Sequence, residues 1–185
     1  MYNNKLKFIA IAIAVLTLSL NGCKKDDLPG VEEEELITTI RLKFTNTANA
    51  NDVKTITWKD IDGTGGNAPV IDALSLKSGS TYAVIVDAVL NETVSPAADI
   101  KAEVAAEKDE HLFVYKAFGA NLTFSNFDKD INNLAVGLSA TATTGAASTG
   151  TFTIILRHQP NGAKNGTETP GSTDLEAVFQ TAIIN

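Results

Sequence analysis

Cysteine is nearly absent: Cys23 is the only one in 185 residues. An internal disulfide is therefore excluded, and so is any cysteine-rich metal site. A folded domain in this chain has to hold itself together by packing. Bases are outnumbered, with 15 Lys and Arg against 22 Asp and Glu and a net charge of -7. An acidic chain with no basic run beyond its first residues is a poor ligand for nucleic acid. Aromatic residues are 6% of the chain. Trp58, Tyr82 and Tyr115 are the candidates for a sugar-stacking platform, although aromatics on strands most often serve a core. No apolar run reaches the roughly 20 residues that span a bilayer. The G-x-S-x-G, P-loop and H-E-x-x-H signatures are all missing. A Ser/His/Asp triad need not be close in sequence, so a hydrolase remains an alternative without a motif behind it.

What the chain does have begins at its head. Lys5 and Lys7 precede Phe8 to Leu20 (FIAIAIAVLTLSL), which is apolar apart from Thr17 and Ser19. This run has the length of a signal-peptide apolar region, commonly 7–15 residues. It ends in Leu20-Asn21-Gly22-Cys23, which resembles the lipobox of bacterial lipoproteins. The resemblance implies cleavage before Cys23, a diacylglycerol on its thiol and an acylated amine. Two or more chains anchor stably where one binds only marginally. The next four residues, Lys24-Lys25-Asp26-Asp27, resemble the signal that sends some lipoproteins to the outer face of the outer membrane. A plain solvated linker is the simpler reading of them. Lys24 to Glu35 (KKDDLPGVEEEE) reads as a flexible, self-repelling tether.

Three regions are thus expected: a leader at 1–22, the acylated Cys23 with its tether at 23–35, and one domain at 36–185. The leader holds two lysines and no acid, so the remaining 163 residues carry a charge of -9. That length suffices for one domain with a real core.

Within the domain the pattern is period-2 alternation broken by Gly, Asn, Asp and Pro, the signature of strands and turns. In Leu36 to Thr45, Ile40, Leu42 and Phe44 share one face. Strands are also expected at Val53 to Trp58, Val70 to Leu76, Thr81 to Leu90, His111 to Ala117, Asn121 to Phe127, Val136 to Thr143, Thr151 to Arg157 and Asp174 to Ile184. Val70 to Leu76 and Thr81 to Leu90 would join as a hairpin through Lys77-Ser78-Gly79-Ser80. Asp99 to Glu110 is rich in Ala, Glu and Lys and predicts a short helix. About nine strands with turns every 8–12 residues predict an all-β fold. An antiparallel, immunoglobulin-like β-sandwich comes first, with a β-barrel as the alternative.

Two aspartate-rich turns space carboxylates two residues apart. One holds Asp60 and Asp62; the other holds Asp128, Asp130 and Asn132. Such spacing can converge oxygens on calcium, the one cofactor the sequence suggests. The second turn partly matches the D-x-[DN]-x-[DN]-G start, with Asn133 in place of Gly and no closing glutamate. Asp, Asn and Gly are also simply good turn formers. The two histidines, His111 and His158, fall at strand ends beside charges. If they met at one rim with Arg157, they would suit a metal or an anion, although two ligands do not make a zinc site.

Several segments resemble a set of small surface or periplasmic bacterial lipoproteins that go under the label "type 1 periplasmic binding fold superfamily". These are Asp62 to Val70, Leu90 to Thr93, Asp109 to His111, Arg157 to Pro160 and Thr173 to Glu176. The likeness covers nearly all of the chain after the leader, and its motifs carry no established chemistry. Taken literally, the label implies two α/β lobes at about twice this length. The strand pattern here has too few helices to build them. The combined expectation is a lipid-anchored envelope protein with a non-enzymatic binding or structural domain. It would sit on the outer membrane facing out, with the periplasmic face as the alternative. A carrier of a metal, an anion or a sugar is the second reading.

Overall fold

The computed structural model describes residues 35–63 and 65–185. The expected leader, Cys23, the Lys24–Asp27 signal and the tether up to residue 34 lie outside them.

Among the described residues strands make up 52%, in two sheets, with one short helix. The elements are β1 (Thr39–Asn46), β2 (Val53–Lys59), β3 (Val70–Ile71), β4 (Leu74–Lys77), β5 (Thr81–Asn91), β6 (Ala98–Asp99), α1 (Ile100–Ala106), β7 (His111–Phe118), β8 (Leu122–Ser125), β9 (Ser139–Thr144), β10 (Ser148–His158) and β11 (Ser172–Ile184). The larger sheet runs β3-β2-β1-β5-β9-β8, with β6 beside one end of β5. The smaller runs β4-β11-β10-β7. Pairing is antiparallel except for β4, which lies parallel to the end of β11. The all-β expectation holds, and the larger sheet curls part-way toward a barrel.

Alternation explains the layers. Ile40, Leu42 and Phe44 on β1 are fully buried, while Arg41 and Lys43 between them are part-exposed. On β10, Phe152, Ile154 and Leu156 turn inward; on β11, Leu175, Ala177 and Phe179 do the same. The sheets meet at Phe152. Its ring stands edge-on to Phe44 of the larger sheet at 6.3 Å between centroids and lies 4.9 Å from Phe124 of β8. Tyr115 and Phe179 pack on it from its own sheet.

The helix forms where composition places it. Asp99 caps it, its Oδ1 accepting from the Ala102 N–H at 3.2 Å. Ile100 and Val104 are its buried face, set against β5.

Three expectations need correction. The segment 70–76 is not one strand: β3 pairs with β2 in the larger sheet, and β4 pairs with β11 in the smaller. Residues 77–80 are consequently no hairpin, because β4 and β5 belong to different sheets. Gly79, at φ 59°, lets the chain cross between layers. The strand expected from Val136 begins only at Ser139. Gly137 before it has φ 84°, and the Val136 carbonyl is held by the Phe113 N–H at 2.7 Å.

Candidate functional site

Both histidines reach the same end of the smaller sheet. His111 opens β7 and His158 closes β10, and the antiparallel register sets them directly opposite. Each follows the inward phase of its strand, His111 with Phe113 and His158 with Leu156. Their rings stack 4.7 Å apart and 7° from parallel.

His111 is fully buried. Its Nδ1 lies 3.1 Å from the Glu107 carbonyl at the end of α1. A carbonyl only accepts, so Nδ1 carries the proton and Nε2 the lone pair. That Nε2 is buried with no hydrogen-bond partner. Burial lowers the imidazole's pKa; the Glu107 contact opposes this, and neighbouring His158 adds to it. Burial thus disfavours the charged form of this ring. His158 is part-exposed, with Glu110 Oε2 at 3.8 Å from its Nε2.

The third member is Asp174. β10 and β11 slip register here, with Leu156 opposite Leu175 but Arg157 opposite Thr173. Asp174 is the extra residue of this bulge, and a bulge re-aims a side chain. Donor atoms of His111, His158 and Asp174 all lie within 4.8 Å of one another.

Carboxylates crowd this end. Glu35, just before β1, has its pKa raised to about 7. Burial is the main cause, followed by a hydrogen bond with Glu103 and then the charges of Glu103, Asp174 and Glu107. A cleft of about 380 Å³ opens alongside, between Glu35–Ile37, Trp58 and the Asp174–Glu176 stretch.

Asp60 lines this cleft together with Trp58, and the other candidate residues go elsewhere. Arg157 points its guanidinium at the loop before β11, donating to Thr173 Oγ1, to the Pro170 carbonyl at 3.0 Å and to the Gly171 carbonyl at 2.6 Å. It braces that loop. Asp60 Oδ1 accepts from the Gly63 N–H at 2.9 Å. Asp62 Oδ2 accepts from the backbone and side chain of Asn67 at 2.9 and 2.6 Å, which lowers its pKa. Asp128 Oδ1 accepts from the Ser139 N–H. Asp130 Oδ1 accepts from the N–H groups of Asn132 and Leu134, both at 2.9 Å, and its Oδ2 meets Lys164 Nζ at 2.8 Å. Asn132 thus contributes its backbone to the turn. Tyr82 is fully buried, its hydroxyl accepting from the Lys77 N–H. Tyr115 sits in the ring cluster and donates to the Gly137 carbonyl at 2.6 Å. Of the three aromatics, Trp58 alone lines the cleft.

Sequence reasoning brought the two histidines to one rim but not Asp174 into their company, because a bulge leaves no mark on alternation. Comparison with protein-family models, with curated proteins and with solved structures finds no match.

Proposed function

We propose that this chain is a lipid-anchored envelope lipoprotein whose β-sandwich is a binding module. Its ligand is taken at the end of the smaller sheet where His111 and His158 meet. The observation that carries the reading is that meeting. Two residues 47 positions apart stack at one rim, and one of them keeps a buried nitrogen without a partner. A polar atom left so costs stability, a cost that a bound ligand would relieve. The leader and Leu20-Asn21-Gly22-Cys23 supply the anchor, and Lys24 to Asp27 supports display on the cell surface.

Two measurements test this. Cys23→Ala should abolish labelling by radioactive palmitate and move the protein from the membrane to the soluble fraction. Retention of label overturns the anchor. Imidazole signals of His111 and His158, followed by NMR through a panel of metal chlorides, sugars, phosphate and carboxylates, should move with at least one compound. A panel that leaves both unmoved overturns the rim as binding site.

A further inference from the structure

The geometry points to a divalent transition-metal site of the zinc class formed by His111, His158 and Asp174. This deepens the rim-binding reading and rests on it.

The donor set selects the ion. Two imidazoles and one carboxylate suit zinc and its first-row neighbours, with further positions open to water. Calcium and magnesium prefer all-oxygen shells. The charge around the site selects a cation over an anion. The carboxylates of Glu107 and Glu110 act on the two rings, and the guanidinium of Arg157 is directed at the loop before β11.

His111 is already set as a ligand. Metal-bound histidines generally donate their other ring N–H to a carbonyl or carboxylate, which fixes tautomer and ring. The Glu107 carbonyl does this for His111, leaving a buried Nε2 lone pair without a hydrogen-bond partner. Glu110 Oε2 stands 3.8 Å from His158 Nε2, within ion-pair reach of the ring. Bonds of about 2.0–2.2 Å to one ion need donors roughly 3.5 Å apart, and the present spread is up to 4.8 Å. Closing it takes a turn of His158 out of its stack on His111, because near-parallel rings aim their lone pairs side by side. His158 and Asp174 are part-exposed at strand ends and supply that movement, while His111 stays fixed.

The test uses the full chain, purified in detergent and stripped by chelator, titrated with zinc chloride by calorimetry while the imidazole NMR signals are followed. One zinc per chain should bind, shift both imidazoles and raise the melting temperature. His158→Gln and Asp174→Asn should each weaken zinc at least tenfold. Both positions are part-exposed, so folding survives, and far-UV circular dichroism verifies it. Undiminished zinc affinity in the double variant overturns the assignment. So does an equal response to calcium chloride. If phosphate moves the imidazoles and zinc does not, the metal is wrong but the rim reading stands. If no compound of the panel moves them, both fail.

Discussion

Lys164 and Asp130 form a buried ion pair 2.8 Å long, their side chains 2% and 0% exposed. Lys164 also donates to the Lys108 carbonyl at 2.6 Å. The long loop between β10 and β11 is thereby fastened to the turn after β8 and to the chain just before His111. Burial pushes the Asp130 carboxyl up, but Lys164 and the N–H groups of Leu134 and Asn132 outweigh it and hold the pKa below its ordinary value. Removing one partner leaves the other buried and uncompensated. Lys164→Met should cost about 3 kcal/mol in urea unfolding at unchanged m. The double variant with Asp130→Leu should recover part of that loss. Simple additivity of the two single variants would show that the pair is not coupled.

Glu35 makes stability depend on pH. Its folded pKa, about 7, lies above the ordinary 4.5. The folded state therefore holds an extra proton between those values. The associated stability is full below about 4.5 and is lost as pH rises through about 7. The groups facing Glu35 are Glu103 and Glu107 from α1 and Asp174 from β11. Melting temperature should fall between pH 5 and pH 8 in the native chain and fall less in Glu35→Gln. Parallel curves for the two proteins would contradict this assignment.

Gly171 tests how the loop joins β11. Its φ is 77°, and a Cβ there would run into the His158 carbonyl. Gly171→Ala should destabilise the fold, through the left-handed backbone and the collision together. It should also disturb the His158 imidazole signal more than that of any core aromatic. An unchanged His158 resonance would mean that the loop yields without moving the strand end.

Phe152 is the hub of the core, fully buried and in ring contact with Phe44, Phe124, Tyr115 and Phe179. Phe152→Ala should cost about 3–5 kcal/mol in chemical denaturation. A loss under about 1 kcal/mol would mean that the neighbouring rings collapse into the space.

Local chemistry was legible in the sequence; partnership across the fold was only partly so. Ile40, Leu42 and Phe44 announce their buried face by alternation alone, and the Ala, Glu and Lys content of 99–110 announces the helix. The pairing of β4 could not be read, since its alternation fits either sheet and only the distant β11 decides between them. The histidines could be suspected of sharing a rim because both sit at strand ends. Asp174 joins them through a one-residue slip that periodicity does not encode. The aspartates at 60, 62, 128 and 130 show the converse. Their spacing is equally that of carboxylates gathering backbone N–H groups in turns, and Asp130 in addition meets a lysine 34 residues away.

The central position of β11 has a consequence for the order of assembly. Both β4 and β10 lean on this last strand. A chain made from its N-terminus completes the larger sheet, and pairs β7 with β10, before β11 exists. Until then β4 has no ladder partner among the described residues, and one side of β10 stands open. The thirteen residues of β11 therefore act as a bolt between β4 and β10. Loss of β11 would strand β4 and leave one side of β10 unpaired.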